Sequence, residues 1–347
     1  MSEKLIVSWD DYYKTVEKLA IMIDESGYKP DILIGIMRGA APMIDVLSRI
    51  FKLKCAYLAV ESYSGKGIGS KIFHTVSKEL KTRNIPFDFK FSEKPNHIYS
   101  IVKNLTIQDY DRICCIGGDG SIHEIINGLM DRSDKNKLPL SFFPGGTGNA
   151  FVRDIGFLDT KKALSRTLEN KKRKIDIFLC KTQKKQFYSF NIVGWGIPSD
   201  INILAEKLRF LGGMRYNVAS LIEVFKKKQR FANLQFNDNT MKDNFGFIMA
   251  CNTIHTGKGM KIAPFAKLDD GLIDLLVVRN VKRLKLLSLF TKIFNGDHIK
   301  DTKVEYFTTK QLSIKSEKEY PLNIDGDNKE TSPITIQVLP KEIEIFN

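Results

Sequence analysis

Two glycine-rich loops constrain this 347-residue chain more than any other feature. The first, Gly117-Gly118-Asp119-Gly120, follows an apolar run at 112–116 and leads into a helical pattern over 121–130. The second, Pro144-Gly145-Gly146-Thr147-Gly148-Asn149, follows Ser141-Phe142-Phe143 and leads into 150–155. Short, wholly apolar strands suit a parallel sheet covered on both faces. Open α/β sheets place their ligands at the strand ends, where both loops fall. Glycines let the backbone approach a ligand closely, and helix N-termini offer free N–H groups to phosphate. Asp119 can hold Mg²⁺ or accept a proton from a hydroxyl. The plain alternative is a tight turn with a capping Asp. Two such loops at neighbouring strand ends predict one shared nucleotide cleft.

Length predicts about two domains. Hydrophobic residues at 43% and charged residues at 27% give an ordinary core and exclude a disordered or fibrous chain. Five cysteines without a CxxC pair argue against a zinc site or disulfide framework. The first residues have no signal-like apolar run, and no stretch reaches the roughly 20 apolar residues that span a bilayer. A reducing, cytoplasmic setting is expected. The five histidines show no metal-ligand spacing.

Charge is uneven. The net charge is +14, yet residues 1–68 hold nine basic and nine acidic side chains, so the excess lies wholly downstream. Such an excess favours anionic partners. The runs Lys171-Lys172-Arg173-Lys174 and Lys226-Lys227-Lys228 could rest on an anionic membrane, or could simply be solvated. No nucleic-acid motif accompanies them, and no nucleic acid is expected.

Residues 1–63 read as a separate piece. A helix is expected over 10–23, capped by Ser8 or Asp10, then a strand at 32–36, a loop, a helix at 43–51 and a strand at 55–60. Ser8-Trp9-Asp10-Asp11-Tyr12 and Ile34-Gly35-Ile36-Met37-Arg38-Gly39-Ala40-Ala41-Pro42 resemble the start of a purine-type phosphoribosyltransferase. That family's paired acids and ribose-phosphate loop are absent downstream. The piece is therefore expected to be partial, and to donate the strand at 56–60 to the next domain's sheet.

Ser64-Gly65-Lys66-Gly67 opens the second piece as a glycine-rich turn before a helix over 68–80. From here the chain resembles the diacylglycerol kinase catalytic superfamily, which includes sphingosine and ceramide kinases and bacterial lipid kinases. The resemblance rests on Gly117-Gly118-Asp119-Gly120-Ser121 with Glu124 and Asn127-Gly128, and on the second glycine loop through Ala150. Asn191-Ile192-Val193-Gly194-Trp195-Gly196, Asp200, Glu206-Lys207 and Arg209 follow. Then come 257–264, Asp269-Asp270-Gly271-Leu272-Ile273-Asp274 and Asn323-Ile324-Asp325-Gly326-Asp327.

The resemblance implies an ATP- and Mg²⁺-dependent lipid kinase of two domains. An α/β domain, doubly wound and phosphofructokinase-like, would occupy 64–172. A β-sandwich holding the lipid would occupy 173–347, with its last strands returning to the first domain. Short strand-like runs at 245–250, 272–278, 304–307, 334–338 and 343–346 agree independently, as does a helix at 284–294. By the same resemblance Asp119 is the catalytic acid and metal ligand, and Asp325 a second catalytic residue. Ser64, Gly65, Lys66, Gly117, Gly118, Gly120, Gly145, Gly146, Thr147, Asn149 and Asp327 are nucleotide contacts. His97 falls near a Gly-His position of the family and would orient the nucleotide region. The family's Asn-Pro turn is missing; Glu61-Ser62-Tyr63 stands there instead.

The segment 194–216 is more similar to sphingosine and ceramide kinases than to bacterial diacylglycerol kinases. Asp200 and Asn202 are the expected substrate contacts, and Asn202 is an amide where sphingosine kinases carry an acid. Sphingoid base, ceramide and diacylglycerol all stay in play, at a membrane surface reached peripherally. Two rivals remain: a catalytically inactive fusion, and another Gly-Gly-Asp-Gly kinase such as an NAD kinase.

Overall fold

A computed structural model describes residues 8–27, 56–60 and 68–347 apart from 84, 227, 229 and 258. The strand expected at 32–36, the loop with Arg38, the helix at 43–51 and Glu61 lie outside the described residues. Helix α1 (Trp9–Glu25) is capped by Ser8, whose hydroxyl accepts from the Asp11 amide at 3.1 Å.

The α/β half follows from its apolar runs. Strand β1 (Ala56–Val60) leads to helix α2 (Ile68–Thr82), which buries Ile72, Phe73, Val76 and Leu80 on one face. Next come β2 (Phe87–Phe91), α3 (His97–Asn104), β3 (Arg112–Gly117), α4 (Asp119–Met130) and β4 (Leu140–Pro144). These strands are all parallel, in the spatial order β2-β1-β3-β4. Residues 56–60 therefore sit inside this sheet, flanked by β2 and β3. Both glycine loops leave the same ends of adjacent strands, because β3 and β4 run side by side with Gly117 opposite Pro144. Two short helices, α5 (Ala150–Asp154) and α6 (Thr160–Leu168), close this half.

The second half is antiparallel. It runs through β5 (Lys172–Thr182), β6 (Gln186–Ser189), β7 (Ile192–Gly196), helices α7 (Ile197–Lys207) and α8 (Arg215–Lys226), then β8 (Arg230–Phe236) and β9 (Asn239–Cys251). A small ladder, β10 (His255–Thr256) with β11 (Met260–Lys261), precedes β12 (Ile273–Arg279) and α9 (Arg283–Lys292). Strands β13 (Glu305–Thr309), β14 (Gln311–Ser316), β15 (Pro321–Ile324), β16 (Asp327–Thr331) and β17 (Ile334–Phe346) complete it.

Strands β9 and β12 are mostly apolar where they pair, from Phe247 to Cys251 and from Leu275 to Val278, because both faces are covered there. Phe245, Ile248 and Ala250 face the sandwich interior with Ile273, Leu275 and Val277. Phe247, Met249 and Cys251 face a separate core with Leu276, Val278 and residues of α7, α8 and α9.

Two strands cross the expected boundary at 172/173. Ile175 and Ile177 of β5 pack with Ile343 and Ile345 of β17 in the α/β core. Further along the same two strands, Phe178 and Cys180 pack with Ile336 and Val338 in the sandwich core. The two expected terminal runs are one strand, β17, which pairs with β5 along its length, with β14, and with β4 through Ile345 and Leu140. The sheet passes without a break from one half to the other.

Candidate active site

The glycine loops pack on each other before they meet any ligand. The Gly145 amide donates to the Gly117 carbonyl at 2.9 Å. A Cβ built on Gly146 would lie 2.4 Å from the Gly118 Cα, and one on Gly118 would lie 2.9 Å from the Gly146 Cα. No side chain fits at that crossing. Asn149 adopts a left-handed conformation (φ 52°) and clamps the second loop. Its Oδ1 accepts from the Gly146 amide at 3.0 Å, and its Nδ2 donates to the Gly146 carbonyl at 2.8 Å. Asn149, expected as a nucleotide contact, uses one Nδ2 hydrogen and one Oδ1 lone pair on the loop and keeps one of each.

Asp119 opens α4 and is gripped by α5: Oδ2 accepts from the Ala150 amide at 3.0 Å and Oδ1 from the Phe151 amide at 3.2 Å. Burial pushes its pKa up to about 6; the two amide bonds oppose this, and the charges of Asp325 and Asp154 add to it. Glu124, one turn further along α4, accepts from the amides of Asn96 (2.9 Å), Ile98 (3.1 Å) and Tyr99 (3.3 Å). It thereby caps α3, whose own Asn96 makes no side-chain cap. Asn127 locks α4 onto β6 through the Tyr188 backbone, donating at 2.9 Å and accepting at 2.9 Å.

Asp325 lies in the turn between β15 and β16 and is buried. Its Oδ1 accepts from the Ser189 hydroxyl (2.8 Å) and the amides of Asn191 (2.9 Å) and Ile192 (3.2 Å). Its Oδ2 lies 2.7 Å from His123 Nδ1. Four partners hold this carboxylate, so Asp325, expected as a second catalytic acid, ties α4, β6 and β7 together where it lines the same cavity as Asp119. Sequence reasoning left His123 unassigned. Its distance in sequence from Asp325 hides the pair, and only its place one helical turn after Asp119 hints at it.

One cavity of about 690 Å³ connects these groups. Gly118, Asp119, Gly120, Gly146, Thr147 and Asp327 line one end, with Ser92 and Lys94 beside them. Ile197, Ile201, Val224, Phe247, Met249 and Leu289 line the other. Glu206, Arg215 and Tyr216 stand along its wall, with Arg215 Nη1 3.3 Å from Glu206 Oε1. Gly117 and Gly145 underlie the loops instead of lining the cavity. Ser92 and Lys94 belong to no motif named from the sequence.

The expected substrate contacts separate. Asn202 lines the cavity, with its Nδ2 donating to the Gly326 carbonyl at 2.8 Å. Asp200 does not line it. It is buried, and both its oxygens accept from Arg230 Nη2, at 2.7 and 2.8 Å, while the Arg230 guanidinium stacks over Tyr320. Asp200, expected at the lipid head group, thus has its charge partner on β8. Ser64, Gly65 and Lys66 lie outside the described residues. His97 accepts the Glu93 amide on Nδ1 at 2.9 Å at the start of α3.

The polar end fits a nucleoside triphosphate: glycine backbone, a hydroxyl and a lysine surround open space. Among the described residues no three His, Cys, Asp or Glu side chains converge on one metal position. Mg²⁺ needs only one or two carboxylates when phosphates supply further oxygens, and Asp119 and Asp327 both line the cavity.

Residues 56–180 match the family model "Diacylglycerol kinase catalytic domain", and residues 191–347 match "YegS C-terminal NAD kinase beta sandwich-like domain". Residues 7–85 match "Phosphoribosyl transferase domain", so β1 and α2 fall within two family patterns. The chain is 25% identical over 320 residues to sphingosine kinase 1 of Arabidopsis thaliana, covering 78% of this chain and 65% of that protein. It thus spans just under two thirds of that relative. It is 24% identical over 296 residues to a diacylglycerol kinase of Staphylococcus carnosus, covering 84% of this chain and 95% of that one. A solved diacylglycerol kinase structure from Bacillus anthracis superposes with a TM-score of 0.66 at 17% identity, covering 84% of this chain and 96% of that one. At that identity the likeness shows the fold alone.

Proposed function

We propose, for a chain that belongs from residue 56 onward to the lipid kinase family of the diacylglycerol kinase catalytic domain, that it transfers the γ-phosphoryl group of ATP to a lipid hydroxyl. One observation carries this reading: a single cavity has glycine loops at one end and an apolar chamber at the other. Bound MgATP would supply the phosphoryl group and neutralise its charge. The chain's residues position and exclude water. The glycine loops and Thr147 hold the phosphates, Lys94 and Ser92 flank the nucleotide, and Asp327 or Asp119 holds the metal. Asp119, at the head of α4 and lining the cavity, accepts the proton of the acceptor hydroxyl. Asp325 orients the turn that carries Asp327 and does not itself react.

The apolar chamber takes the hydrocarbon of a sphingoid base, ceramide or diacylglycerol. With Asp200 neutralised by Arg230, head-group contact falls to Glu206, Arg215, Tyr216 and Asn202. The elements around the chamber also expose large apolar side chains, Phe210 (79% exposed), Met214, Phe225 and Leu284 (80%). Exposed Lys207, Lys226, Lys228, Lys282 and Arg283 accompany them. Apolar anchors ringed by cations fit an anionic bilayer reached peripherally.

The test is label transfer from γ-labelled ATP to sphingosine, ceramide or diacylglycerol in mixed micelles with Mg²⁺. Wild-type protein labels one of them, and Asp119→Asn lowers the rate at least about 100-fold while the melting temperature stays within a few degrees. Equal labelling by Asp119→Asn overturns the role of Asp119. ATP binding without labelled lipid favours a nucleotide-binding protein without transfer.

A further inference from the structure

A second His–Asp pair joins the two halves beside the glycine loops. His255 opens β10 in the antiparallel half, and Asp154 closes α5 in the α/β half. The His255 amide donates to Asp154 Oδ2 at 3.2 Å, and His255 Nδ1 is hydrogen-bonded to Asp154 Oδ1. The side chains are 16% and 4% exposed, so little water competes.

Helix α5 has only five residues, too few to hold its own direction. Phe151, its second residue, packs edge-on between Phe142 and Phe190. Its first two amides carry the Asp119 carboxylate, and its last residue carries His255. The β10–β11 ladder that bears His255 also reaches the cavity, where Thr256, Gly257 and Met260 line the wall. A Cβ on Gly259 would lie 3.4 Å from the Arg153 guanidinium, so the same turn packs along α5.

We propose that His255 is a positioning residue: through Asp154 it fixes α5, and α5 aims the Asp119 carboxylate at the acceptor. It couples the lipid-side ladder to the reacting end without touching substrate. The kinetic part rests on the transfer reaction proposed above; the mechanical part does not. Displacing a catalytic group by about 1 Å can cost on the order of 100-fold in rate.

The test compares His255→Ala, His255→Asn and His255→Gln in the full chain. Asn places an N–H close to the position of Nδ1, whereas Gln places it beyond. His255→Ala and His255→Gln lower kcat about 10- to 100-fold with KM for ATP changed less than about threefold, and His255→Asn restores most of kcat. Hydrogen exchange supplies a readout independent of turnover: the Ala150 and Phe151 amides exchange at least about tenfold faster in His255→Ala and stay protected in His255→Asn. Unchanged exchange in His255→Ala overturns the proposal whatever the kinetics show. Loss of activity in Asn and Gln variants alike, with equal losses of protection, reduces His255 to a packing residue and also overturns it. Wild-type protein that labels no lipid, yet shows the exchange pattern, fails the transfer reading and leaves the coupling standing.

Discussion

Asp274 sits on β12, buried and accepting the Tyr306 hydroxyl at 2.5 Å. Burial pushes its pKa up to about 6; the Tyr306 hydrogen bond opposes this, the Asp270 charge adds to it and the Lys267 charge opposes it. A carboxyl that binds protons more tightly when folded adds stability below the unfolded value, about 4, and loses it as pH rises through the folded one. Above that range the fold carries a poorly solvated charge. Asp274→Asn is therefore expected to be more stable than wild type at pH 8 by about 1–2 kcal/mol. The gain should vanish near pH 4. Urea denaturation at both pH values measures it, and equal stabilities at pH 8 would refute it. Asp200 is the opposite case. Its charge suggested a ligand, but an arginine thirty positions away answers both oxygens through one nitrogen, and no local pattern in the sequence announces that partner.

Helix α3 shows how one element can depend on another for its end. Three of its N-terminal backbone donors are satisfied by Glu124 of α4 and by no residue of its own. Glu124→Ala should fray α3, costing about 1–2 kcal/mol, with faster hydrogen exchange over 98–104. ATP affinity should fall with it, because Ser92 and Lys94 lead into that helix and line the cavity. Unchanged exchange over 98–104 would remove Glu124 from this role. At this scale much was legible. The strands at 112–116, 245–250 and 272–278 announce themselves because both faces are covered, and the glycine loops because close backbone crossings exclude side chains. The His255–Asp154 pair left no trace and the His123–Asp325 pair only a hint, since tertiary pairing has no period along the chain. The expected boundary at 172/173 falls at the start of β5; β5 and β17 run on past it, and only the core beneath them changes.

At the scale of the molecule the positive charge is partly used internally. Lys171 and Lys172 pair with Glu169 and Glu344, and Lys226 with Glu223. The lysine runs are thus weaker membrane anchors than the charge count suggests, and the exposed apolar side chains carry more of the proposed contact. Phe210→Ala combined with Leu284→Ala should weaken binding to anionic vesicles at least about tenfold and raise KM for micellar lipid, with little change in ATP binding. Raising salt should weaken wild-type binding only in part, because the apolar share is not screened. Salt that abolishes binding would assign the contact to charge alone. No helix among the described residues is long and apolar enough to cross a membrane.

Strand β17 has a further consequence during synthesis. The α/β sheet gains its neighbour beyond β4, and part of its core, from Ile343 and Ile345, which are made long after β4 itself. At about 5–20 residues per second, the ribosome leaves that edge open for roughly 10–40 s. During this interval β4 presents an unpaired edge and an incomplete core, the kind of surface chaperones engage. The nucleotide half cannot be finished until β17, the last strand made, is in place.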